Sequence, residues 1–175
     1  MQVAHWITTT ALLAALTLNI GCNASSTPAA KEGASAEGAV YLLTSEPAGA
    51  KGVKDTRAAA KDEDEVTVTG RIGGDEKPWV EGQAAFLIVD SSLKPCNQEA
   101  GENCPTPWDY CCDAGELPKS KAMIKVVDAV GKTVATDARK LLGVKELQTV
   151  VVHGKAKRDD AGNLTVLADK IFVRK

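Results

Sequence analysis

The sequence predicts a mainly β protein: five strands closing into a Greek-key barrel with one short helix, preceded by a helical segment and a disordered tether. Three observations predict it. Five segments after residue 65 carry β-type apolar patterning, one short helical pattern falls between the third and fourth of them, and Gly70 interrupts the first where a small barrel needs a bend. Composition fits an aliphatic core: 44% of the 175 residues are hydrophobic and only 4% aromatic, so Val, Leu, Ile and Ala must fill it. The formal net charge of −2 gives no general pull toward nucleic acid or anionic lipid.

The first strand, "VTVTGRI" (66–72), puts Val66, Val68 and Ile72 on one side and Thr67, Thr69 and Arg71 on the other. The second, "AAFLIVD" (84–90), is a nearly continuous apolar run, as for a central strand. "KAMIKVVDAVGKTV" (121–134) reads as a strand bending through "DAVGK" into a hairpin. Thr136 is placed to cap a short helix, "DARKLLG", that stops at Gly143. "LQTVVVHGKAK" (147–157), the polar turn "RDDAGN" and "LTVLADKIFV" (164–173) supply the last two strands. This order is that of the OB-fold, a five-stranded Greek-key barrel. "VTVTGRI" and "TVVVHGKAKRDDAGNLTVLADKIFV" resemble OB-fold barrels of the nucleic-acid-binding and periplasmic types, over roughly residues 66–175. A small β-sandwich is the competing architecture. Burying five such strands needs no metal or cofactor, and no cofactor is expected.

Ahead of the barrel, residues 1–22 read as an export signal. "WITTTALLAALTL" (6–18) is uncharged, apolar and short for a membrane span. It runs into "LNIGC", which resembles the lipobox of bacterial lipoproteins. That resemblance implies lipidation of Cys22, the mature N-terminus, although no Lys or Arg precedes the apolar run and Asn19 stands where an aliphatic residue is usual. A cleaved secreted protein and an uncleaved anchor are the alternatives; all three put the domain outside the cytoplasm, the first on a bacterial membrane by a lipid anchor. Residues 23–39 are small and polar, a disordered tether. Residues 40–65 hold a short apolar piece stopped by Pro47, then a helical stretch with Ala50, Val53, Arg57 and Ala60 on one face and Gly52 inside it. The acidic run "DEDE" (62–65) closes this segment as a solvated linker, with a cation site as its alternative.

Between the second and third strands lies a polar insert, 91–120, with Cys96, Cys104, Cys111 and Cys112. Insertions this long are functional or covalently tied. With Cys22 given to lipid, four cysteines remain, enough for two disulfides in an oxidising compartment. Joining the neighbours Cys111 and Cys112 makes a strained ring, which leaves two pairings of these with Cys96 and Cys104 open. Each bridge is worth roughly 2–4 kcal/mol. The alternative is a periplasmic metal-binding or thiol-redox protein, the four thiolates holding zinc or Cu(I). No pair of CxxC knuckles is present, and adjacent cysteines chelate one tetrahedral ion awkwardly. A thioredoxin-like CxxC and a haem-attachment CxxCH are also absent.

No GxSxG, HExxH, P-loop or dinucleotide fingerprint occurs, and nothing speaks for an enzyme. His153 reads as an ordinary surface or half-buried histidine. Lys155, Lys157 and Arg158 cluster near the last hairpin, but Asp159 and Asp160 follow at once, so nucleic acid is not the expected partner. Trp79, in the loop 73–83, and Trp108 and Tyr110, in the insert, are the candidate ligand contacts; Trp79 alternatively caps the barrel end. A carbohydrate, a peptide or a cell-envelope protein would suit such a face. Taken whole, "KPC…CPTPWDYCC" after "GRIGG" and "EGQAAFLIVD" resembles uncharacterised small bacterial lipoproteins over most of residues 40–175. The resemblance implies that "YLLTSEPAGAKGVKD" docks on the barrel, and it carries no activity. The expected function is a membrane-tethered, extracytoplasmic OB-like binding or assembly module with a disulfide-pinned insert.

Overall fold

The computed structural model describes Met1 and residues 33–98, 101 and 104–175. The export signal, the lipidation of Cys22 and most of the tether fall outside the described residues. No helix among the described residues is long and apolar enough to cross a membrane.

One sheet closes on itself. Its strands are β1 (Lys51–Gly52), β2 (Glu65–Ile72), β3 (Ala85–Val89), β4 (Lys121–Val126), β5 (Thr149–Arg158) and β6 (Leu164–Val173). They follow the order β1-β2-β3-β4-β6-β5, and β5 returns to pair with β2. Within this ring β4–β6 is the parallel pairing and the others are antiparallel, while β1 adds to β2 in parallel. The five long strands therefore form an OB-fold-like barrel, as the alternating pattern predicts.

Closure depends on β2 serving two neighbours. Glu65 to Arg71 pair with β5, and Arg71 and Ile72 pair with β3. Gly70 sits at this changeover, where a Cβ would stand 2.9 Å from the Val89 carbonyl oxygen. A second irregularity falls between His153 and Gly154, where the register against β6 shifts. Inside the ring, Val68, Ile72, Phe86, Ile88, Ile124, Val150, Val152, Val166 and Ile171 are fully buried. The helix α3 (Ala138–Leu142) brings Leu141 and Leu142 into the same core. Its N-cap is Asp137, one residue later than the Thr136 expected: Asp137 Oδ1 accepts the Arg139 backbone N–H at 2.9 Å. Gly143, left-handed at φ 66°, ends the helix as predicted.

The segment before the barrel docks on it. Leu43 N–H donates to the Ile171 carbonyl at 2.8 Å, and the contacts begin earlier than residue 40, with Ser35 N–H donating to the Leu141 carbonyl at 3.1 Å. The short helix α1 (Val53–Ala59) begins after Gly52, which is its N-cap and not an interior residue. Asp90, at the end of β3, seats the start of α1 by accepting the Lys54 backbone N–H at 2.9 Å. The acidic run is tied down too: Asp62 and Glu63 pair with Lys157, and Asp62 accepts the Arg158 backbone N–H.

A four-cysteine candidate site

Among its described residues the insert folds as three single 3-10 turns and the short helix α2 (Leu117–Ser120), which delivers the chain into β4. It is seated on the loop after β2 by backbone contact. Gly74 N–H donates to the Trp108 carbonyl at 2.7 Å, and the Trp108 indole N–H donates to the Glu76 carbonyl at 3.1 Å. The approach needs the glycines of "GRIGG". Gly73 (φ 154°) has no room for a Cβ against the Trp108 carbonyl, and a Cβ on Gly74 (φ 95°) would stand 2.6 Å from Val89 Cγ2. Beneath the insert, Tyr110 is fully buried with Val89 and Leu93, and Leu117 packs at their edge. The Arg71 guanidinium donates to the Tyr110 hydroxyl at 3.3 Å.

Tyr110 also turns the chain. Its left-handed backbone (φ 57°, ψ 36°) separates the turn Pro107–Asp109 from the turn Cys111–Asp113. This reversal folds the two adjacent cysteines back toward Cys96. The Cys96 Sγ lies 3.4 Å from that of Cys112 and 3.5 Å from that of Cys111, and Cys104 Sγ is 3.7 Å from Cys111 Sγ. All four sulfurs lie within 4.8 Å of one another, and among the described residues this is the one such group of metal-ligating side chains. A tetrahedral ion with metal–sulfur bonds of about 2.3 Å needs sulfurs about 3.8 Å apart, so the spacing suits one.

One expectation is not met here. No disulfide joins these cysteines: the Cys96–Cys112, Cys96–Cys111 and Cys104–Cys111 sulfurs stand 3.4, 3.5 and 3.7 Å apart, against a bonded S–S distance of about 2.05 Å. The sulfurs are gathered as one group of four, not as two pairs.

The environment favours thiolate at Cys96. Burial pushes the Cys96 thiol up, but the Cys112 backbone N–H and the neighbouring thiols bonding to its sulfur bring it below the ordinary range. Cys111 is pushed the other way, by bonding to Cys96 and Cys104 and by Asp109. Asp109 orders the turn: it accepts the Cys111 backbone N–H and the Thr106 hydroxyl, both at 2.9 Å. Cys96 is buried, Cys104 half-buried, and Cys111 and Cys112 exposed.

The aromatic candidates separate. Tyr110 is buried beneath the insert, so it is a seat and not a ligand contact. Trp79 is half-buried, packs on Phe86 at a centroid distance of 5.7 Å and lies under the Arg139 guanidinium. This arrangement is the end-cap reading. Trp108 is half-buried with its N–H committed to Glu76. His153, on β5, is half-buried with Nδ1 2.8 Å from Asp169 Oδ1. Lys157 of the basic cluster is engaged by Asp62 and Glu63.

Sequence reasoning carried the gathering of the four sulfurs only as its alternative. The signal for it was present: a glycine pair in the preceding loop, and one tyrosine between a proline-stiffened turn and the adjacent cysteines. No protein-family model matches the chain, and no curated protein matches it.

Proposed function

We propose that this chain is a membrane-tethered, extracytoplasmic OB-like binding module whose bound ligand is a soft metal ion held by Cys96, Cys104, Cys111 and Cys112. The observation that carries the ligand is the spacing of the four sulfurs, all within 4.8 Å of one another, with Cys111 and Cys112 on one turn of a docked insert and Cys96 on another. Thiolate donors select zinc or Cu(I) over hard cations. The Cys112 N–H directed at the Cys96 sulfur and the Asp109 brace on Cys111 are the kind of outer contacts that hold such donors in place. The tether and the compartment rest on the apolar run before "LNIGC" and on Cys22.

Metal content and thiol count test the ligand together. Protein prepared under reducing, anaerobic conditions and dialysed should retain one equivalent of zinc, and Cys96→Ser should lose it. A native mass that rises by four hydrogens on reduction would instead show two disulfides and defeat the metal reading.

A further inference from the structure

The four donors are unequally covered, and the insert is seated without them. Tyr110, Leu93 and Val89 pack beneath it, Arg71 holds the Tyr110 hydroxyl, and two hydrogen bonds from Gly74 and Trp108 fix its backbone. At its far end, Asp90 N–H donates to the Ser120 carbonyl at 2.8 Å where the insert rejoins the sheet. None of these contacts passes through a sulfur, and the barrel core is closed by aliphatic side chains. A structural ion, by contrast, supplies the folding energy that a missing core cannot. The coverage runs one way: Cys96 is buried at the base, whereas Cys111 and Cys112 stand exposed on one turn. A second ligand can reach the ion from their side without the protein unfolding.

Resting on the metal reading above, we propose that the ion is an exchangeable cargo, a soft closed-shell cation accepted from and handed to a thiol-bearing partner across the Cys111–Cys112 edge. The step is a ligand exchange. An incoming thiol's sulfur forms a bond to the ion as the bond to the Cys111 or Cys112 sulfur breaks, and the incoming thiol's proton ends on the displaced cysteine. The oxidation state of the ion does not change, and Cys96 remains the last protein ligand to let go.

The test uses the mature chain loaded with zinc under anaerobic conditions. Zinc release is followed with a chromogenic chelator present throughout, at increasing concentrations of a small monothiol. The expected result is a release rate that climbs with thiol, about tenfold across the range, while circular dichroism shows the barrel intact after the zinc has left. A rate independent of thiol, or a barrel that melts when zinc is withdrawn, overturns the cargo proposal while leaving zinc binding in place. Failure to load any zinc overturns the metal reading itself, and the cargo proposal with it.

Discussion

At the scale of single residues, the positions that organise the site are not the ones that carry its chemistry. Gly73 lets the insert's backbone lie against the loop after β2. Gly73→Ala should therefore lift the insert, cost about 1–3 kcal/mol and weaken zinc retention while the barrel persists, a contrast visible by pairing thermal melts with metal analysis. Asp90 joins two elements distant in sequence by accepting the Lys54 backbone N–H, while it also accepts the nearby Ser92 N–H. Burial raises its pKa, but those bonds hold the carboxyl below its ordinary range. Its contribution is therefore complete above about pH 4 and fades as the pH drops through its folded value. Asp90→Asn should flatten the acid limb of the stability curve, which chemical denaturation at stepped pH would reveal. An unchanged acid limb would remove Asp90 from that role. Neither residue announced itself in the sequence, because each acts on a partner far along the chain.

At the scale of elements, the barrel was legible and the insert was not. Strands write a period of two into the chain, and "VTVTGRI" declares both its inward face and its bend at Gly70. The position of α3 between β4 and β5 was equally plain, down to Gly143. The insert has no period to read. Its shape comes from isolated turns, a left-handed tyrosine and backbone contacts with another loop, so the sequence offered two pairs first and one group of four sulfurs only as the alternative. The core role of α3 makes a separate prediction. Leu141 is fully buried, and Leu141→Ala should destabilise the fold by about 2–5 kcal/mol without loss of bound zinc under native conditions. Simultaneous loss of zinc and stability would show that barrel and insert are not independent.

At the scale of the whole molecule, the leader docks on the barrel at one place and the insert at another. The export reading belongs to this scale, and membrane fractionation examines it. Cys22→Ser should move the protein from the membrane to the soluble fraction, and undiminished membrane association would refute the lipid anchor. The leader contacts that begin at Ser35 then set a geometric limit. If Cys22 is the lipidated residue, the chain between it and Ser35 stretches to at most about 45 Å. The domain would work on a short leash, and whatever exchanges ligands with it must itself come within that distance plus the domain's own width of the bilayer.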